Sequence, residues 1–411
     1  MHVRRIVLLG LLIFPTLCQA QLGFHLKPGQ RRVQFPIEVV NNLVIVPVVI
    51  NGQLPLKFIL DTGVRTTILT EKAFSDILNL TYSRRFTVAG PGGEKIVEAY
   101  VTNNVVLDMP GIHGQGHAML VLEEDYLELR NYLGTDVQGI LGYEVFSRFV
   151  VEIDYENLRL TISDPTEYKP KRRFEEFDIS VEDTKPYVQV PITLQSGKTL
   201  NAKLLVDTGA SHGLMLDPLS DSQITIPDKH ISSLIGRGLA GEINGQIGRV
   251  RSIELGKYSL EKVITNFPDP GDYGFIDSTS VKDIFRNGAI GGELLRRFKV
   301  IFNFPLGKMY LKKNTSFGRP FNYNMSGLTL KAKGVRLRNF EVADVRKGSS
   351  GELADIRVGD QLLSIDGIPT AEFNLNLLNT ALDIREGKRL RIELLRDGKV
   401  VKTKLILMNQ I

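Results

Sequence analysis

The sequence predicts a mainly β fold made of two pseudo-symmetric halves, followed by a smaller α+β module. Three observations predict it: alternating apolar runs joined by Gly-bearing turns, a long internal repeat, and a change of composition near residue 319. The repeat is clearest in two hairpins. "LVIVPVVINGQLPLKFIL" is two β-rich runs around an Asn-Gly turn and ends at Asp61; "YVQVPITLQSGKTLNAKLLV" is two runs around a Ser-Gly turn and ends just before Asp207. Each hairpin runs into D-T-G. Downstream, "GILGYEVFSRFVVEIDYENLRLTI" from Gly139 matches "GAIGGELLRRFKVIFNFPLGKMYL" from Gly288. The two D-T-G motifs are 146 residues apart, and Gly142 and Gly291 are 149 apart, so the halves repeat with almost no insertion.

The N-terminus precedes this repeat. "MHVRRIVLLGLLIFPTLCQA" carries Arg4 and Arg5, an apolar stretch from Ile6 to Leu17, and small residues before a cut after Ala20, the pattern of a cleaved secretory signal over residues 1–20. Its apolar part is short for a membrane span, and no later run is long enough, so no span is expected after its removal. Cys18, the only cysteine, leaves with it, so the mature chain has no disulfide and no thiol nucleophile. These features predict an exported protein, periplasmic or otherwise associated with a bacterial envelope, or secreted.

Composition bounds the function. With 43% hydrophobic and 24% charged residues the chain is an ordinary globular protein long enough for two or three domains. Removing two arginines from a formal charge of +5 leaves +3, too small an excess for a dedicated nucleic-acid binder. The run from Lys169 to Arg173 lies in "TEYKPKRRFEEFD" and reads as a solvated linker between the halves. Boundaries are therefore expected at 21–165 and 166–318 for the two lobes and at 319–411 for the last module.

Each half also carries a glycine-punctuated hairpin about thirty residues after its aspartate, "VAGPGGEKIVEAYV" and "GRGLAGEINGQIGRV". Neither fits a phosphate-binding loop. His113 and His117 are four apart, but the surrounding glycines argue against a helical metal face, and no serine sits in G-x-S-x-G. No cofactor and no metal are implied.

The doubled D-T-G, each copy behind an apolar strand and ahead of an apolar-apolar-Gly piece, resembles aspartic peptidases of the retropepsin-like kind, with both lobes in one chain. The likeness covers roughly residues 35 to 315. It implies two β-barrel lobes, a polypeptide substrate and an endopeptidase mechanism in which Asp61 and Asp207 activate a water. The chemistry needs a pair: one carboxylate takes a proton from water while its twin donates to the carbonyl oxygen. At about 3 Å and an effective dielectric near 20, two such charges repel by about 5 kcal/mol, so the pair holds one shared proton. By the same resemblance Thr62 and Thr208 bond across the lobe interface, and Gly63 and Gly209 bring backbone amides to the carboxylates. Ile140-Leu141-Gly142 and Ala289-Ile290-Gly291 lie beneath the two loops. Gly90, Gly92 and Gly93, with Gly238 and Gly241, belong to flaps that close over substrate.

One departure stands out: "DTGAS" follows the family at Asp207, whereas Asp61 reads "DTGVR". Arg65 either faces solvent or an acid, or else holds more negative charge on the dyad. His212 is either a lobe-edge residue or a substrate contact. From Gly327 onward the chain resembles a PDZ domain, carried by residues 351–367: a short helix at Gly351 to Ile356, then "VGDQLLSIDG". The likeness implies capture of a peptide C-terminus by strand addition, with Phe340 and Val342 lining the groove. "VRLRNFEV" lacks the family's glycine before that strand, so a docking or bracing role stays open beside peptide capture. The reading from another class is a peptide-binding envelope adaptor with an inactive dyad.

Overall fold

A computed structural model of the chain describes residues 22–88, 90–92, 96–272 and 284–411. The expected signal at residues 1–20 and Gly93 lie outside the described residues. Strands dominate, as predicted, and they form four sheets.

In the first half the strands Leu43–Ile50 and Leu54–Leu60 pair antiparallel, Ile45 opposite Ile59. Asn51 and Gly52 close the hairpin at φ 51° and 66°, the left-handed region that Asn and Gly reach at least cost. Alternation fixes the face: Val44, Val46, Val48 and Ile50 are buried with Phe58 and Leu60 in one core. The short strand Gly139–Leu141 then pairs parallel with Phe58–Leu60 and antiparallel with Ile68–Leu69. It passes between the two arms of the loop that carries Asp61. Only glycine fits at its start, because a Cβ on Gly139 would lie 2.2 Å from the Phe58 ring. The second half repeats the arrangement: Lys185–Thr193 pairs with Thr199–Val206, and Gly288–Ile290 runs parallel to that strand and antiparallel to Leu214–Leu216.

The halves are joined by a shared six-stranded sheet. Val150–Asp154 and Arg159–Ser163 come from the first half, and Phe298–Asn303 and Lys308–Lys313 from the second. They meet antiparallel at Glu152 opposite Ile301, with Arg32–Pro36 and Glu175–Asp178 at the two outer edges. Above it, Phe146 of the first half packs edge-on against Phe302 (5.5 Å) and stacked on Phe304 (5.3 Å) of the second. Such pairs add about 1 kcal/mol each beyond their burial. One continuous core therefore runs from Phe24 to Phe321.

The last module has its own core, from Tyr323 to Ile411. Its sheet runs in the order Leu328–Lys333, Asn339–Val345, Gln361–Ile365, Arg389–Arg396, Lys399–Ile406. The helix expected at Gly351 to Ile356 is shorter, Ser350–Leu353, with Ser349 Oγ accepting from the Glu352 N–H. A second helix, Leu375–Ala381, begins under the cap of Asn374. Among the described residues no helix is long and apolar enough to cross a membrane.

Candidate active site

Asp61 and Asp207 leave the ends of Leu54–Leu60 and Thr199–Val206, and their N–H groups donate to the Leu141 and Ile290 carbonyls, both at 2.8 Å. The apolar-apolar-Gly pieces thus lie under the two loops. The adjacent threonines then tie the lobes together. Thr62 N–H donates to Thr208 Oγ1 and Thr208 N–H to Thr62 Oγ1, each at 3.0 Å. Thr62 Oγ1 donates onward to the Val206 carbonyl at 2.6 Å, and Thr208 Oγ1 to that of Leu60 at 2.8 Å. Both hydroxyls are fully buried and satisfied as donor and acceptor. Thr208→Val would strand the Thr62 N–H and the Leu60 carbonyl, and is expected to cost about 3 kcal/mol, read as a lowered urea midpoint at unchanged slope.

This square fixes the carboxyl groups. Gly63 N–H donates to Asp61 Oδ1 at 2.6 Å and Gly209 N–H to Asp207 Oδ1 at 2.8 Å. Each carboxyl also lies over the opposite glycine: a Cβ on Gly209 would be 2.1 Å from Asp61 Cγ, and one on Gly63 would be 3.3 Å from Asp207 Oδ1. A side chain at Gly209 would displace the Asp61 carboxylate, and one at Gly63 would press on both carboxylates. The two acids share a hydrogen bond, in which Asp61 is the donor. Burial, then the charge of its twin, push the Asp61 carboxyl well above the usual carboxylate range. Burial raises Asp207 as well, while the Gly209 amide and the Arg286 guanidinium favour its ionised form, so the pair titrates as a unit that holds a proton above the usual carboxylate range.

Two cations near the pair escaped the sequence reading. Arg286 favours the ionised form of Asp207, and Lys185 favours that of both aspartates. Aligning the halves would have flagged them, because the matching positions in the first half are Val137 and Leu43. Arg65 does not serve this purpose: it pairs with Asp183 at 3.4 Å and is more than half exposed. His212 is half-buried, its carbonyl accepts from the Glu293 N–H at 3.2 Å, and burial pushes its imidazole down to about 4. His113 and His117 pair with Asp108 (2.6 Å) and Glu144 (3.1 Å) on a strand rather than a helix.

The two glycine-rich hairpins meet at their tips. Ala240 N–H donates to the Pro91 carbonyl at 3.0 Å and Gly92 N–H to the Asp272 carbonyl at 2.9 Å. Gly238 abuts Pro91 and Gly92 abuts Gly241, so close that a Cβ on either glycine would lie 2.1 Å from a carbonyl oxygen. Gly90 faces Leu239. The hairpin of strands Ile231–Gly238 and Gly241–Arg249 covers the strands that carry Asp207, with Ile235 on Leu205, Met215 and Ala289. Leu239 at its tip packs on the apolar layer of the first half that includes Ile59 and Ile140.

Residues 46–145, which include Asp61, match the family model described as aspartyl protease, and residues 341–396 match that of a PDZ domain. The chain therefore carries a stretch similar to aspartyl proteases and, C-terminal to it, one similar to PDZ domains. No curated protein matches it. In the PDZ domain Phe340 and Val342 do not line a groove. Both are fully buried on Asn339–Val345, an interior strand that pairs with a neighbour on each side and has no backbone edge to offer. The edge strand beside it is Leu328–Lys333, preceded by Gly327 at φ 73°. The glycine that "VRLRNFEV" lacks therefore stands one strand earlier.

Proposed function

We propose that the chain is an exported aspartic endopeptidase in which Asp207 takes a proton from a bound water and Asp61 protonates the scissile carbonyl. One observation carries this reading: the buried threonine square holds the two carboxyl groups together, each against the glycine of the opposite loop, where a pair of acids keeps one proton between them. Ionised Asp207, favoured by Arg286, is the base; Asp61, held neutral by burial and its twin, is the acid. The two hairpins act as flaps that must part to admit an extended polypeptide and then exclude water. The positively charged, apolar start of the chain supports export to the envelope. Arg65, one of the two features that favour an inactive adaptor beside the missing PDZ glycine, pairs with Asp183, which supports the active reading.

The test is digestion of a denatured protein mixture by the purified chain across pH, read by mass spectrometry of the peptides. A bell-shaped profile is expected, with its acid limb set by protonation of Asp207 and its alkaline limb by loss of the Asp61 proton. No cleavage at any pH would end the proposal. Arg286→Gln sharpens it. Removing a cation that favours the Asp207 carboxylate raises its pKa, so the acid limb should move to higher pH. An unmoved limb would show that another group sets it.

A further inference from the structure

The PDZ edge strand Leu328–Lys333 packs beside the helix Leu375–Ala381. Leu328, Leu330 and Ala332 turn their side chains into the core, and the Leu328 and Ala332 carbonyls, bonded to side chains rather than to the neighbouring strand, lie along the outer edge. Such a row is a template for an extended chain. Here it is already partly occupied. Asn324 Nδ2 donates to the Leu328 carbonyl at 2.7 Å, and Asn131 Nδ2, from the protease domain, donates to the Ala332 carbonyl at 2.8 Å.

Three further contacts seat the same protease segment. Arg130 Nη2 donates to the Val335 carbonyl at 2.9 Å, and Lys331 Nζ lies 3.6 Å from Glu128. Gly134 is so close to the helix that a Cβ on it would sit 2.5 Å from Leu375 Cβ. The segment is the short helix Leu129–Leu133, bounded by left-handed φ at Glu128 (46°) and Gly134 (65°). A glutamate keeps that conformation only where its surroundings impose it. Asp125 Oδ1, accepting from the Glu128 N–H at 2.9 Å, and Lys331 supply them.

The other side of this segment reaches the second-lobe hairpin. Arg237 Nη2 donates to Tyr132 Oη at 2.9 Å, with the guanidinium 4.5 Å above the ring. Arg237 precedes Gly238, which abuts Pro91 at the meeting of the two tips. Adjacent residues, Asn131 and Tyr132, therefore hold the PDZ edge and the hairpin.

We propose that residues 128–134 are an internal latch on the PDZ strand edge, and that an extended peptide with an acidic residue, adding to Leu328–Lys333, displaces it and frees the hairpin 231–249. The peptide's acid takes the place of Glu128 on Lys331, and its backbone takes that of Asn131 on Ala332. Because latch and peptide compete for one edge, weakening either strengthens the other. The competition stands apart from catalysis; only its effect on cleavage rests on the endopeptidase reading.

The test uses the full chain and a fluorescein-labelled heptapeptide of alternating valine and threonine carrying one glutamate, with binding read by anisotropy and amide exchange read by mass spectrometry. Asn131→Ala is expected to bind the peptide about tenfold more tightly than the wild type. Saturating peptide is expected to speed exchange across 231–249 in the wild type while leaving 150–154 unchanged. Tyr132→Leu keeps the PDZ contacts but loses both the hydroxyl and the ring that Arg237 uses, so it should bind the peptide like the wild type and lose the response at 231–249. Should Asn131→Ala fail to fold, Glu128→Gln, which removes only the ion pair to Lys331, should tighten binding in the same direction. Equal affinity for wild type and latch variant, no binding to either, or an unmoved 231–249 in the wild type would each overturn the proposal. Binding and exchange that follow this pattern with no cleavage under any condition would retain the latch and reject the endopeptidase.

Discussion

Asp61→Asn and Asp207→Asn each lower cleavage of an unfolded protein by at least about 10³-fold, the scale of a lost general acid or base, while the far-ultraviolet circular dichroism stays that of the wild type. Their stabilities part company. Asp61 accepts from the Gly63 N–H through Oδ1 and donates to Asp207, and asparagine reproduces both, its Oδ1 accepting and its Nδ2 donating. Asp207 accepts from both the Gly209 N–H and Asp61, so an asparagine there must turn an NH₂ toward one of two donors. Asp61→Asn should therefore be the more stable variant. Its pH dependence has a definite sign. The folded-state pKa of Asp61 is raised, so its protonation supports the fold fully below the unfolded value and less as pH rises through the folded one. Asparagine carries no such dependence, and urea unfolding at several pH values should show Asp61→Asn gaining on the wild type as pH rises. Cleavage that survives either substitution would remove the dyad from the mechanism.

Arg297→Ala destabilises the chain by about 3–5 kcal/mol, the cost of emptying a buried cation site whose partners lose their donor. Arg297 is 1% exposed, and its guanidinium lies 3.6 Å over the Phe321 ring. It donates to the carbonyls of Ser316 (3.4 Å), Phe317 (3.5 Å) and Pro320 (3.2 Å), to that of Arg319, and to Glu293 at 3.1 Å. One side chain thus folds the connector between the second lobe and the PDZ domain around itself. Without it several carbonyls and the Glu293 carboxylate lose their donor. Arg297→Lys restores the charge but not the planar fork and should recover less than half of the loss. Limited proteolysis should open the connector at 314–321 in the alanine variant. A loss of under about 1 kcal/mol would mean that other contacts hold the connector.

What the sequence revealed follows from what is local. The two hairpins, the D-T-G loops and the returning Gly-apolar-apolar strands are written in alternation and turn residues, and their repetition marks both halves at once. Registers between distant strands are not. Nothing in "VVEID" or "FKVIFN" says that they pair with each other, and the role of Arg297 depends on a connector that only the folded chain brings around it. The PDZ edge was misread for a related reason. "NFEVADV" and "LTLKAK" alternate alike, and alternation reports a buried face, not whether the backbone has a neighbour on both sides. Arg286 and Lys185 are single charges with no motif of their own, visible only as breaks in the symmetry of the repeat.

The shared six-stranded sheet bears on how two such halves choose each other. Its central strands carry Glu152 and Asp154, both buried, with Lys299 bonded to Asp154 and 3.6 Å from Glu152. If two first halves met by the same geometry, Glu152 would oppose Glu152, and Asp154 would face Val150 in place of Lys299. Two buried carboxylates would confront each other without Lys299, with only Lys171 of the linker, 2.7 Å from Glu152, to offset them. Self-association of the first half is thereby penalised, and the electrostatics of one strand pair commit it to its own second half.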